Sequence, residues 1–458
     1  MERKVKNILY CWGGMSEYGL LDYDMIPKIN KALSIKNSYV ILMNSKNKNR
    51  HIFEKESTCI LREDLIFGRV EQYEKILYDG MLSMDDDILI KIQPYLLQII
   101  KIQQKFEVFP EFRVDSTLES HYSIMIKNLL FLNAFLEQCE IEQVILTNIP
   151  HDGYDNLIYH LCKIKNISIG IFWKSTIPNR KRIVTEYTEL EMILEREYEQ
   201  LKKEYQENVM DAIILEDEID SYFNNMLNIQ QKSIKQYEMH ADFDIMFERR
   251  YGKQYAKEYK DSVKLHQCYN IMAHMPMIHE NYIYYAMQYT PELTSAPLGG
   301  GLYMDQTIPI RILAKSLPKG WRLYVKIHPT QLTGTCSIQL FEDISKIENV
   351  MLVKEECTSY DLISNSKATA TLTGTVAWEA QFLNIPVIVF GYSEKNVAPL
   401  SYKVRTVKEC KHAIESILRG DKQTNEKELK IFTKAMENIS FPDNKAEMVQ
   451  QIIDFCMK

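Results

Sequence analysis

ATATLTGTVAWEAQFLNIPVIVFG, residues 368–391, is the stretch whose reading decides the fold. Apolar and β-branched residues run through 368–372, and a hydroxyl-glycine-hydroxyl turn follows at Thr373-Gly374-Thr375. A short helical pattern then covers 376–383, and Pro386 introduces a second apolar run at 387–390. Two continuous apolar runs flanking one short helix predict a βαβ crossover in a parallel sheet buried on both faces. The turn then lies at the carboxyl end of a strand and the start of a helix, where unpaired N–H groups and the positive helix end suit phosphate or another anion. The plainer alternative is an ordinary helix start with Thr375 as its cap. Glu379 does not complete a capping box there, because the acid would stand at Trp378, three residues after Thr375. A solvated glutamate favoured by the helix dipole is the other reading of Glu379.

Upstream of this unit, a strand expected at 283–287 leads into Gln288, Pro291, Glu292, Thr294 and Ser295, and three glycines follow at 299–301. Asp305 precedes a helix over 308–316. The next strand, 323–327, ends in His328-Pro329, where the proline stops the strand and fixes the backbone. His328 is thereby expected at the same carboxyl edge as the Thr373 turn. Strands at 351–353 and 402–406 and helices at 408–418 and about 426–458 complete this half.

In the first half, strands are expected at 7–11, 40–43, 144–146 and 167–172, with helices over 122–138 and 156–165. The first strand runs into Gly13, Gly14 and Glu17, but GGMSEYG lacks dinucleotide-fingerprint spacing. It reads as a glycine turn that lets a substrate approach, or as a plain βα turn. Strand 144–146 opens into NIPHDGYD, which gathers His151, Asp152 and Asp155 on one loop, where α/β scaffolds carry chemistry. Neighbouring carboxylates raise the proton affinity of a histidine and suit it to acid–base work. Asp155 as the cap of the next helix is the alternative. Asp85-Asp86-Asp87 reads as a first helical turn capped by Ser83, not as a metal site. From 186 to about 264, Glu and Lys alternate at helical spacing, which predicts solvated helix faces in an insertion joining two α/β halves. The cluster Arg249-Arg250-Tyr251 through Lys260 belongs to the same solvated surface, with an anionic acceptor or membrane contact as its alternative.

A chain of 458 residues accommodates two ordinary domains with an insertion. With 46% hydrophobic and 26% charged residues it is a soluble globular type, and a net charge of -7 argues against a large nucleic-acid footprint. Nine cysteines without a CxxC pair read as free thiols in a reducing compartment. The opening MERKVKNILYCWGG has too short an apolar run for a signal peptide, and no stretch approaches a membrane span. A cytoplasmic protein is expected, with peripheral contact at the inner face of a membrane left open.

The motifs QYTPELTSAPLGG, MDQ, LPKGWRLYVKIHP and TLTGTVAWEAQFLNIPVIVFG, together with NIPHDGYDNLIYHLCK, resemble the capsule polysaccharide synthesis family, which includes bacterial β-Kdo transferases. The His-Pro pair is shared with bacterial polysialyltransferases. The resemblance spans roughly 148–172 and 282–391. It implies a GT-B-like α/β fold: two Rossmann-like domains facing across a cleft, with a helical insertion. The corresponding division is an acceptor domain at 1–185, an insertion or linker at 186–275, a nucleotide-sugar domain at 276–425, and a terminal helix, 426–458, crossing back to the first domain.

The resemblance also implies roles. His328 and Pro329 contact the nucleotide, Thr373, Gly374 and Thr375 its phosphate, and Glu379 the ribose. Gln288 and Glu292 sit near the sugar, although Leu293 stands where the family often has an arginine. Its expected activity is transfer of a sugar from a CMP- or UDP-type donor to a growing capsular or other surface polysaccharide or glycolipid. Neither a metal nor another cofactor is expected, and His151, Asp152 or Asp155 supplies the base or the carboxylate at the anomeric carbon. Transfer of a polyol phosphate from a CDP-activated donor, or a catalytically silent module of the same fold, remain the alternatives.

Overall fold

The computed structural model describes residues 5–11, 24–42, 54–55, 57–77, 86–104, 117–207, 210–228, 256–277, 279–333 and 336–458. Gly13, Gly14 and Glu17 lie outside the described residues, as do Ser83, Asp85 and the start of the basic cluster at Arg249. The chain divides into two compact units. Unit 1 comprises Met1–Ser175, Asn179–Glu186 and Ser440–Lys458, and unit 2 comprises Thr176–Pro178 and Tyr187–Ile439.

Unit 1 is built on seven strands: β1 Asn7–Cys11, β2 Asn37–Leu42, β3 Thr58–Leu61, β4 Gln143–Leu146, β5 Ser168–Lys174, β6 Arg180–Val184 and β13 Phe441–Pro442. Their order is β13-β6-β5-β4-β1-β2-β3, parallel from β5 through to β3 and antiparallel at β6 and β13. The five parallel strands thus take the 3-2-1-4-5 order of a Rossmann half. All five residues of β1 and all four of β4 are buried, as central strands covered on both faces require.

Three of these strands differ from the sequence reading. In β6, RKRIV, the three cationic residues Arg180, Lys181 and Arg182 are all buried, and Lys181 pairs with Asp443 at 2.8 Å. The charges hide a strand that antiparallel pairing and ion pairing stabilise. The helix expected over 426–458 is broken into Glu426–Asn438 and Lys445–Met457, with β13 between them. Pro442 cannot continue a helix, and Asn444 restarts one by accepting a hydrogen bond from the Glu447 N–H. The short β3 also escapes the sequence pattern.

Unit 2 contains β7 Tyr282–Ala286, β8 Arg322–Lys326, β9 Val350–Leu352, β10 Ala368–Thr371, β11 Val387–Val389 and β12 Ser401–Lys403. All pairings are parallel and the order is β12-β11-β10-β7-β8-β9. Counted from β7, this is the 3-2-1-4-5-6 order of a doubly wound sheet, and its strand order reverses between β7 and β10. One face carries a core from Tyr282, Tyr284, Tyr324, Val376 and Ala380; the other carries Ile283, Tyr285, Leu313, Phe341 and Ile414.

The charged helices are not merely a solvated linker. Helix Glu189–Glu204 buries Leu190, Glu191, Leu194, Tyr198 and Leu201, a spacing of three and four that makes one face. That face meets helix Glu426–Asn438, where the Tyr198 and Phe432 rings stand edge-on at 5.2 Å between centroids. Buried Glu191 accepts from Lys403 Nζ and Asn396 Nδ2, both at 2.6 Å, and from the Ser393 N–H at 3.2 Å, tying the helix to the loop after β11.

Candidate functional site

The point where the second sheet's order reverses is where an open α/β sheet leaves a crevice beyond its strand ends, because the loops of neighbouring strands turn to opposite faces. Gln288 follows β7 there and the Thr373 turn follows β10. Gln288 Nε2 donates to Thr371 Oγ1 at 3.1 Å, and the Gly374 N–H donates to the same hydroxyl at 3.3 Å. Thr371 Oγ1 in turn donates to the Ala286 carbonyl at 3.0 Å. A Cβ on Gly374 would stand 2.3 Å from Gln288 Nε2 and 2.9 Å from Thr371 Oγ1, so only glycine admits this approach.

The hydroxyl-glycine-hydroxyl turn divides its work. Thr373 Oγ1 donates to the Thr294 carbonyl at 2.9 Å, which ties the turn to the loop after β7. Thr375 makes no cap hydrogen bond and is the one exposed residue between Ala368 and Gln381. Thr375 occupies the N-cap position, its carbonyl accepting from the Trp378 and Glu379 N–H groups, without a side-chain cap. Among the described residues, no group accepts a hydrogen bond from the backbone N–H of Thr375 or Val376, as expected of the first turn of a helix. The groups at Thr373 and Gly374 thus build the turn from within.

Glu379 is 8% exposed, one turn into the helix. It acts electrostatically on Tyr222, Tyr284 and Lys395. Burial pushes the Lys395 ammonium below its ordinary value, and Glu394 and Glu379 oppose that shift. Burial also pushes the Tyr222 hydroxyl up to about 12.

His328 leaves β8 with Pro329 opening a short 3-10 turn, Pro329–Thr333. The Thr330 N–H donates to His328 Nδ1 at 3.3 Å, so the neutral ring carries its proton on Nε2 and presents a donor there. The Tyr289 and His328 rings lie 6.0 Å apart. Glu292 heads a tight turn: its N–H donates to Ser295 Oγ at 3.2 Å, and its Oε2 accepts from the Thr294 N–H at 3.3 Å.

Gln306, the last residue of the MDQ motif, and Gln331, which the sequence reading passed over, bind this edge together. Gln331 Nε2 donates to the Thr290 carbonyl at 2.8 Å, and its Oε1 accepts from the Thr290 N–H at 2.7 Å. Gln306 Oε1 accepts from the Gln288 N–H at 2.8 Å, and its Nε2 donates to the Gln288 carbonyl and to Thr290 Oγ1, both at 2.7 Å. Both glutamines are almost fully buried. Gln306 was visible only as part of a motif without a role, and the only sequence signal of Gln331 is its position three residues beyond His328.

In unit 1, His151, Asp152 and Asp155 follow β4, which lies beside β1 where the first sheet's order reverses. The structure separates their roles. Asp152 is the N-cap of helix Gly153–Lys165 and pairs with Arg62 Nε at 2.6 Å, the two side chains being 2% and 11% exposed. Asp155 accepts from the backbone N–H groups of Asp152 at 2.8 Å and His151 at 3.1 Å, the carboxylate half of a capping box. These bonds tie both carboxylates into the loop that carries His151. His151 Nδ1 lies 2.8 Å from the Ile149 carbonyl. A carbonyl only accepts, so Nδ1 carries the proton and Nε2 is the basic nitrogen. Among the described residues, no three His, Cys, Asp or Glu side chains are grouped as a metal-ligand set, and no helix is long and apolar enough to cross a membrane.

Two Rossmann-ordered units, with polar loops gathered at a strand-order reversal in each, make this a tandem α/β protein with the domain complement of the GT-B class. Residues 170–413, more than half of the chain, match the family described as "Capsule polysaccharide biosynthesis protein", and the chain belongs to that family. No curated protein matches it. Among solved structures it is similar to the β-Kdo 2,4 transferase of Thermosulfurimonas dismutans KpsC. That match has 12% identity, covers 70% of this chain and 88% of that one, and has a TM-score of 0.31. It is also similar to the UDP-GlcNAc 2-epimerase of Methanocaldococcus jannaschii in complex with UDP-GlcNAc and UDP, at 10% identity, 93% and 97% coverage and a TM-score of 0.29.

Proposed function

We propose that this protein is a glycosyltransferase that moves a sugar from a nucleotide-activated donor of the CMP or UDP type to a growing capsular or other surface glycan. The observation that carries the reading is the gathering of Gln288, His328 and Thr375 on three loops at the carboxyl edge of the second sheet, at and beside its order reversal, in a chain of the capsule family. Cleavage of a nucleotide sugar leaves negative charge on phosphate. Donors already fixed in place stabilise that charge as it develops, because they need not reorient during the reaction. The Thr375 and Val376 N–H groups and His328 Nε2–H are donors of that kind, and Glu379 and Gln288 serve the ribose and sugar side.

Formation of the new glycosidic bond releases a proton from the acceptor hydroxyl. His151 is the proposed base, since its Nδ1 is anchored on a carbonyl and its Nε2 can take that proton. Asp152, Asp155 and Arg62 hold its loop. The donor is bound by unit 2 and the glycan or glycolipid acceptor by unit 1. Mass spectrometry of the purified protein incubated with a panel of CMP- and UDP-sugars and capsular oligosaccharides tests this. Free nucleotide together with an acceptor one sugar heavier is expected, and intact donors across the whole panel contradict it.

A further inference from the structure

We propose that Gln331 is a positioning residue that locks the loop after β7 to the His328 turn, so that one buried carboxamide sets the spacing of the donor-site groups. The inference rests on the proposed nucleotide site and concerns a residue outside its contact set. Strand β7 ends at Ala286, yet the backbone continues to be hydrogen-bonded as though the sheet went on. Gln306 takes both peptide groups of Gln288, and Gln331 takes both peptide groups of Thr290. Two side chains thus perform the ladder bonding that a neighbouring strand would provide, at alternate residues.

Gln331 is also part of the His328 turn, because its own N–H donates to the His328 carbonyl at 2.8 Å. The side chain holds one loop while the backbone holds the other. Gln288, which reaches Thr371, and Tyr289, which lies beside the His328 ring, are thereby fixed relative to His328. Only a group that donates and accepts at once can make the Thr290 pair, and a neutral carboxamide is such a group at every ordinary pH. Gln331 is 3% exposed, so water does not replace a lost bond.

The chemistry gives a test that simple destabilisation does not mimic. In Gln331→Glu the protonated carboxyl has one accepting oxygen and one O–H donor, which reproduces both bonds to Thr290. Once ionised it has acceptors only, and an anionic oxygen faces the Thr290 carbonyl. Burial raises the carboxyl's titration above its ordinary range, toward neutral pH. Gln331→Met keeps the length and loses both bonds at every pH.

Nucleotide binding is measured by calorimetry on full-length wild type, Gln331→Glu and Gln331→Met with UDP, CMP and CDP, at about pH 5 and about pH 8. Affinity of Gln331→Met is expected to fall about tenfold or more at both values. Gln331→Glu is expected within about threefold of wild type at the lower pH and about tenfold or more weaker at the higher one. Each affinity is expressed as its ratio to wild type at the same pH. If Gln331→Met does not fold, the pH ratio of Gln331→Glu decides alone. Wild-type binding with a flat ratio overturns the lock and leaves the functional reading standing. Absence of wild-type binding to all three nucleotides overturns both.

Discussion

Gln288 Nε2 and Thr371 Oγ1 are joined at 3.1 Å at the place where the strand order of the second sheet reverses. The contact exists because Gly374 lacks a side chain. Gly374→Ala puts a Cβ 2.3 Å from the Gln288 amide, whose flexible end then swings away from Thr371. The expected result is a modest loss of stability, about 1 kcal/mol, with a larger loss of nucleotide affinity. Thermal unfolding and calorimetric titration of the one variant separate the two effects.

His151 and its carboxylate neighbours divide activity from stability. Replacing His151 with alanine removes the proposed base and is expected to lower kcat by about 10²- to 10⁴-fold with little change in unfolding midpoint. Arg62→Met leaves Asp152 as a buried carboxylate without its ion-pair partner and is expected to cost about 3–5 kcal/mol of stability. Denaturant unfolding beside steady-state rates checks the pair. A His151→Ala protein with wild-type kcat contradicts the assignment.

Helix Glu189–Glu204 carries stability although its sequence is charged. Leu194 is fully buried against helix Glu426–Asn438, and Leu194→Ala is expected to cost about 2–5 kcal/mol in urea unfolding. A change below about 0.5 kcal/mol would mean that this helix is a solvated linker.

A histidine away from the site gives the chain a pH dependence. The His160 ring stacks on Tyr95 with centroids 3.9 Å apart, and burial pushes its pKa down to about 4. The folded value lies below the unfolded one of about 6.5, so between these limits the unfolded chain binds more protons and stability rises with pH. The contribution is fully present above about pH 6.5 and is lost as pH falls toward 4, up to about 3 kcal/mol in all. His160→Gln is expected to flatten that part of the stability profile in urea melts across the window.

The sheet of unit 2 was legible in the sequence because its strands are unbroken apolar runs, and runs such as 368–372 and 387–390 need both faces covered. The observed strands, Ala368–Thr371 and Val387–Val389, differ only at their ends. Strand β6 was not legible, since Arg180, Lys181 and Arg182 look solvated until pairing partners such as Asp443 arrive from the far end of the chain. The same long-range pairing hid the break at Pro442. At the site, His328 and the Thr373 turn stand out because proline and glycine leave local signatures. The bonding roles of Gln306 and Gln331 do not, because a glutamine that bonds to a distant backbone has the same local pattern as one that faces water.

Calorimetric titration of the full-length protein with UDP, CMP and CDP tests the central claim most directly, namely that the carboxyl edge of the second sheet holds a nucleotide. One of the three is expected to bind wild type, to bind His328→Ala and Gly374→Ala about tenfold or more weakly, and to bind His151→Ala unchanged. Wild-type protein that binds none of them, or binding that survives both unit 2 substitutions at full strength, contradicts it.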